Sequence, residues 1–433
     1  MAKNSPGITF MLQLGKAALA AGTVIFMSRW MGAEGRGEIG LLLFYVNLFM
    51  VFNEYVGGSS LANYSARNTL ASVVPAALLW SIITLLVGGI ALQLWVHNVA
   101  MVLQVILMAA PLMFLTIIYN IYHGRARVFR RNVLGILNEL FRFLLIIGLA
   151  YLFIIEATQG GEGLSLWGTH QLLETARVAL ANGLAAFLVL CIALLLSAKS
   201  IANFFLNYKK TAVPKGFFSD GFWAQNGQLV QFLNYRLSLL VIASFLGNAE
   251  VGVYANALLI AESIWIFGNS FGAIAHMRIL QSQNAVFQAD ITLRYAVVAA
   301  AGTALACGVV WLLPTALYTA VFGPEFADLR DTAIWMFPAI LALGCSTLFS
   351  HYLHAINKFK FLLIANTAGL LLQTGLSFWL IPYYGLKGAA MAANAGFILI
   401  LVCVFVAFKK ANPQATLRGK LNPLDMLHTL WKE

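Results

Sequence analysis

Acid is scarce in this chain: 16 aspartates and glutamates stand against 27 lysines and arginines, and charged residues make up only 10% of 433 positions. So little charge cannot cover the water-facing surface of a soluble protein of this length. Cysteine is rarer still. Cys191, Cys307, Cys345 and Cys403 lie far apart with no CxxC or metal-ligand spacing, so they read as small apolar packing residues and not as a redox pair or zinc site. No Walker sequence is present, which argues against ATP hydrolysis, and no nucleophile–base constellation supports glycosyl transfer. The expectation is a protein that is not an enzyme and needs no cofactor or metal. A cleavable leader is also missing from the reading, because the first apolar run is too long, carries Lys16 and Arg29, and lacks a small-residue cleavage site.

Apolar residues are what the chain has in abundance, at 61% of positions and a mean hydropathy of +0.83. Runs of roughly 20 apolar residues, the length that lets a helix cross about 30 Å of hydrocarbon, recur from end to end. The expected spans are 8–31, 38–62, 71–95, 98–122, 132–155, 173–197, 220–246, 251–276, 293–318, 332–356, 360–383 and 386–409. They are too long and too uniformly apolar for barrel strands. The fold class is therefore an all-α integral membrane protein with twelve transmembrane helices. A polar, basic stretch divides them into two six-helix lobes, 1–198 and 220–409, with a linker at 199–219 and a basic tail at 410–433.

Loop charge sets the orientation, since short cytoplasmic loops collect Lys and Arg. With both termini inside, nineteen cations fall on the inner side, including Lys3, Arg67, the cluster Arg125/Arg127/Arg130/Arg131, Lys209, Lys210, Arg418, Lys420 and Lys432, whereas only Arg36, Arg330 and Lys387 fall outside. The net charge of +11 then follows from topology and attraction to anionic lipid, and nucleic-acid binding is not needed to explain it. Trp30, Trp95, Trp167 and Trp379 read as interface anchors, and Glu156–Gln171 as a solvated outer loop. His351 and His354 share one face near an inner helix end, with nothing to complete a metal site.

Five cations sit inside the apolar segments: Lys16, Arg29, Arg142, Arg177 and Arg236. A cation at that depth costs a few kcal/mol unless it faces a polar cavity or an acid, so the set points to an anionic ligand. Arg142 and Arg236 fall near mid-depth, Lys16 in the inner half, and Arg29 and Arg177 towards the outer ends. Glu54, Glu139 and Glu262 are the intramembrane acids, and each has a bland use as a counter-ion. Glu139 is three residues from Arg142 on one helix face, Glu54 is placed to meet Lys16, and Glu262 to meet Arg236. Arg29 and Arg177 have a snorkelling alternative. The same acids, Glu262 and Glu54 first, are candidates for coupling transport to a proton or sodium gradient.

The two halves echo each other. Gly32-Ala-Glu-Gly-Arg-Gly37 and Gly247-Asn-Ala-Glu-Val-Gly252 turn equivalent hairpins with equal glycine spacing, and Asn132-Val-Leu-Gly135 echoes Asn366-Thr-Ala-Gly369. A parallel repeat of this kind places substrate between the lobes. Asn234-Tyr-Arg-Leu-Ser238, Val251-Gly-Val-Tyr254-Ala-Asn-Ala257, Val321-Phe-Gly-Pro-Glu-Phe326, Ala355-Ile-Asn-Lys358 and Leu380-Ile-Pro-Tyr-Tyr-Gly385-Leu-Lys-Gly388 resemble stretches of the polysaccharide flippases. With Ser28-Arg-Trp-Met-Gly32, the resemblance to Wzx-type flippases of the multidrug/oligosaccharidyl-lipid/polysaccharide exporter superfamily spans essentially the whole chain.

That resemblance implies a V-shaped, two-lobed exporter fold working by alternating access. The implied cargo is an undecaprenyl-diphosphate-linked oligosaccharide, carried to the outer leaflet of a bacterial plasma membrane for O-antigen or other surface polysaccharide assembly. Membrane lipids, a polysaccharide polymerase and a chain-length regulator would be its partners. Arg236, Arg142 and Lys16, with Arg29 and Arg177, would hold the diphosphate. Some relatives carry an acid near Asn234, Arg236 and Ser238, where this chain has none. Two alternatives remain open, a cation-coupled multidrug exporter and a non-transporting scaffold of a glycan-assembly complex.

Overall fold

The computed structural model describes residues 6–66, 70–158, 170–206, 212–282 and 284–414. Lys3, Arg67, Trp167, Lys209, Lys210, Arg418, Lys420, Lys432 and most of the expected outer loop at 156–171 lie outside the described residues. The described chain is helical throughout, with α1 at Pro6–Gly57, α2 at Ser59–Ala66, α3 at Leu70–Val96, α4 at Val99–Gly124, α5 at Val128–Thr158, α6 at His170–Leu206 and α7 at Phe217–Phe245. There follow α8 at Asn248–Ile264, α9 at Ile266–Gln281, α10 at Ala285–Leu312, α11 at Thr315–Phe322, α12 at Leu329–Trp335, α13 at Phe337–Ala355 and α14 at Phe359–Ala411.

Among the described residues eight helical stretches are long and apolar enough to cross a membrane, or nine if Pro324–Trp335 and Phe337–Ala355, bent by 50°, are one span. Two of the eight hold two crossings each. Helix α1 is broken at Gly32 (φ 67°, ψ −170°) and α14 at Gly385 (φ 58°, ψ −137°), in a region where a side chain costs about 1–2 kcal/mol and glycine costs little. Gly247, at φ 106°, makes the turn between α7 and α8. Helix α7 has the length for a crossing at 29 residues, but its amides and Arg236 keep it out of the apolar set. Counted with it, the twelve expected crossings each have a helix.

Three boundaries differ from the sequence reading. The ninth span ends at Leu312, short of 318, because Pro314 cannot continue the helix and caps α11 instead. The eighth is divided at Trp265 into α8 and α9, and the tenth at Met336 into α12 and α13. Asn394 of α14 bridges that last break: its Oδ1 accepts from the Ala339 amide at 2.8 Å and its Nδ2 donates to the Trp335 carbonyl at 2.9 Å.

The chain divides into two units, 1–229 and 230–433, with the division inside α7. The start of α7 belongs with unit one, where Phe217 is fully buried among Val56, Leu61, Val73 and Ile117 and the Tyr64 hydroxyl lies 3.1 Å from Asp220 Oδ2. Helices α1 and α4 form the middle of unit one, packed with α3, α5 and α6. Asn53 joins three of them: Nδ2 donates to the Met113 carbonyl at 3.4 Å, and Ser81 Oγ donates to Oδ1 at 2.7 Å. In unit two α13 is central, against α9, α10 and α14, with a core of Tyr295, Leu348, Phe349, Tyr352 and Phe408. By contrast α3 presents Leu79, Leu86, Ile90 and Leu94 at 60–69% exposure. Such a continuous apolar face is tolerable in lipid and would aggregate in water.

Candidate functional site

The five membrane cations fall into three settings. In unit one, α1 and α5 run side by side, since a Cβ on Gly15 would meet Ile136 at 3.0 Å and one on Gly22 would meet Phe143 at 3.6 Å. Lys16 lies on this seam with its Cδ 4.0 Å from the Cβ position of Gly135, and it is exposed. Arg142 is seven residues beyond Gly135, hence on the same face of α5 and about 10 Å further along the axis. Its guanidinium is ion-paired with Glu139, as their spacing led one to expect. One edge of the fork is left over: Arg142 Nε is buried with no hydrogen-bond partner among the described residues.

The expected pairing of Lys16 with Glu54 does not form. Glu54 lies near Gln225 of α7 and Arg131 of α5 instead. The sequence reading placed both groups in the inner half of neighbouring helices, which gives depth but not azimuth.

Arg29 and Arg177 belong to a second setting. Arg29 is exposed one turn before the Gly32 break and Arg177 is half-buried on α6. Both are engaged by neighbouring groups. Arg36, assigned above to an outer loop, is 5% exposed and likewise engaged. Acids crowd the same region, for Glu34 and Glu174 both lie near enough to act on the charge of Glu38. The only sequence signal for this was the Glu174/Arg177 spacing of three. Arg36, between Glu34 and Glu38, and Arg177, one turn from Glu174, thus have acids close by and contribute less net positive charge than their number suggests.

In unit two, Arg236 of α7 is ion-paired with Glu262 of α8, side chains 28% and 39% exposed. Next to the pair is an amide network that the sequence reading did not single out. Asn234, 1% exposed, donates through Nδ2 to the carbonyls of Val230 (3.1 Å) and Asn366 (3.0 Å). Gln373 donates through Nε2 to the Asn234 carbonyl and to Ser238 Oγ, both at 3.0 Å. A cavity of about 40 Å³ borders Glu262, Asn234, Tyr235, Trp265 and Gln373. That is room for a water or two, and far too little for a sugar or a drug. Among the described residues no group of His, Cys, Asp and Glu is arranged to hold a metal.

This assembly of helices has been seen in solved structures. The lipid II flippase MurJ in its inward closed conformation superposes with a TM-score of 0.68 at 14% identity, covering 98% of this chain and 92% of that one. An inward-facing multidrug resistance MATE family transporter of the MOP superfamily gives 0.66 at 14% identity, covering 93% and 96%. The chain has the fold of these transporters. The MATE multidrug transporter DinF-BH follows at 0.61 and 15% identity, covering 94% and 96%. No protein-family model matches the sequence, and neither does any curated protein. At these identities the likeness is one of fold.

Proposed function

We propose that the chain is a flippase for an undecaprenyl-diphosphate-linked oligosaccharide, carrying the headgroup from the cytoplasmic to the outer leaflet of a bacterial plasma membrane by alternating access, for surface polysaccharide assembly. The observation that carries this reading is the α1–α5 seam, where Lys16 and Arg142 stand along one line with Glu139 as the local counter-ion. Lys supplies a compact charge and Arg a planar fork, two complementary ways to hold a diphosphate away from hydrocarbon. Arg142 Nε–H remains to be used. The prenyl tail has no need to leave lipid. Arg236 on α7, and Arg29 and Arg177 towards the outer helix ends, are auxiliary in this reading. Membrane lipids surround the protein, both termini face the cytoplasm, and a polymerase and chain-length regulator receive the product.

The likeness to MATE multidrug transporters favours a second reading, export of amphipathic cations. Such a cargo calls for an available acid, and Glu139 and Glu262 are both held by arginines. The deciding experiment reconstitutes the protein in liposomes with an undecaprenyl-diphosphate oligosaccharide and reads its outer-leaflet exposure. Protein-dependent exposure that falls in Lys16→Gln and Arg142→Gln supports the flippase. Efflux of a cationic dye without lipid flipping gives the second reading. Neither activity, with polymer made normally in cells carrying both substitutions, points to a scaffold.

A further inference from the structure

Three histidines meet in unit two, away from the membrane cations and acids considered above. His276 is on α9, and His351 and His354 are in the last turns of α13. The rings of His276 and His351 are 5.4 Å apart between centroids, and His354 is near enough for its charge to act on His351. His276 Nδ1 lies 3.0 Å from the main-chain oxygen of His351. A carbonyl oxygen only accepts, so the hydrogen is on Nδ1 and the lone pair that takes a proton is on Nε2. The His351 ring is wedged against the backbone of α9, since a Cβ on Gly272 would stand 2.5 Å from its Cδ2. Helices α9 and α13 run in parallel here, for Gly268 lies on Gly344 and His276 on His351.

The electrostatic surroundings are basic. Helices α9, α13 and α14 contain no acidic residue, and Asp290 is the only one on α10. Asp290 is spoken for by Arg294, with Nε to Oδ2 at 2.6 Å. Arg278 is on α9, Lys358 and Lys360 are at the start of α14, and Lys409 and Lys410 are at its end. That end is tied to this layer, because Asn412 Nδ2 donates to the hydroxyl of Tyr352 at 2.7 Å. On α8, Glu262 is engaged by Arg236. The remaining acids on the packed elements are Glu250, in the first turn of α8, and Asp331 of α12, paired with Arg330, so among the described residues no carboxylate is set against an imidazolium formed in the trio.

We propose that His276, His351 and His354 form a proton-binding site, and that one shared proton loosens the inner end of α9 from α13. Histidine is the side chain whose ordinary titration falls between roughly pH 5 and 8, and like charges this near one another disfavour joint charging of the three. The consequence for a transporter is a cycle whose proton dependence originates in these imidazoles. Of the carboxylates expected to carry it, Glu139 and Glu262 are held by arginines and Glu54 lies near Arg131.

The test needs no substrate, so its outcome is independent of the cargo. The full chain in lipid nanodiscs, histidine-labelled with ¹⁵N, is titrated between roughly pH 5 and 8. Spin labels at Leu280→Cys on α9 and Ala355→Cys on α13, in a background with the four native cysteines replaced, report helix separation by electron–electron resonance. The expected result is three imidazoles titrating as one coupled set, with a longer label separation at the acid end. His276→Gln with His351→Gln should abolish the change in separation. Three independent, unshifted imidazole titrations would overturn the proposal, as would a separation that does not move with pH in the wild type or that still moves in the double variant.

Discussion

Breaking the Arg142–Glu139 pair from either side, and then from both, separates what it does for folding from what it does for transport. Glu139 is 8% exposed. Arg142→Gln strands its carboxylate, and one-sided loss of a buried pair costs about 3–5 kcal/mol. The Arg142 side chain is 22% exposed, so screening brings the expected figure to about 2–3 kcal/mol. Adding Glu139→Gln removes the stranded charge, and the double variant should return to within about 1 kcal/mol of wild type. Transport should not return with it. Losing charge-assisted hydrogen bonds to phosphate costs about 1.5–3 kcal/mol, which at 1.4 kcal/mol per decade is about 10- to 150-fold in affinity. Thermal midpoints in detergent and flipping rates in liposomes at sub-saturating substrate read the two quantities separately. A double variant that is stable and flips at the wild-type rate refutes the role given to Arg142. An unchanged midpoint in Arg142→Gln alone refutes the argument from burial.

Lys16→Gln should leave the midpoint unchanged, because the side chain is exposed, yet lower flipping about tenfold, with Lys16→Arg close to wild type; equal loss in both would assign Lys16 a packing role. Gly32→Ala and Gly385→Ala place a Cβ at φ 67° and 58° and should each cost about 1–2 kcal/mol, whereas Gly375→Ala, with nothing within 4 Å of its Cβ position, should be neutral or stabilising on a thermal melt. Gln373→Leu removes both Nε2 donations and should destabilise unit two by about 1–3 kcal/mol, seen as faster amide exchange in the second half of α7. Single cysteines at Arg127 and Asp331 should react with impermeant thiol reagent from the cytoplasmic and outer sides respectively; the reverse pattern would invert the topology.

Position along each helix was readable from the chain, and direction around each helix was not. An apolar run must cover a fixed hydrocarbon thickness, so counting residues found a helix for each expected crossing. The three-residue spacing of Glu139 and Arg142 likewise had one local consequence, and the pair is there. Whether Lys16 turns towards Glu54 or towards Gly135 depends on how α1 rotates against its neighbours, which no local rule contains. The end of α10 at Pro314 was written in the sequence and overridden by the apolar residues on both sides of it.

Composition and hydropathy by themselves determined an all-helical membrane protein, because lipid offers the backbone no partner and leaves little choice of secondary structure. The glycines at 32, 247 and 385 marked where the chain reverses, because few other residues take a positive φ cheaply. Only the tertiary structure decided most of the encounters between distant helices. It brought Glu174 of α6 to Glu34 and Glu38 of α1, set Lys16 and Arg142 along one seam, closed the Asn234–Gln373 network across 139 residues, and brought His276 to His351 across 75. Those encounters are set by helix rotation and crossing, which in turn follow from where small residues let two backbones approach.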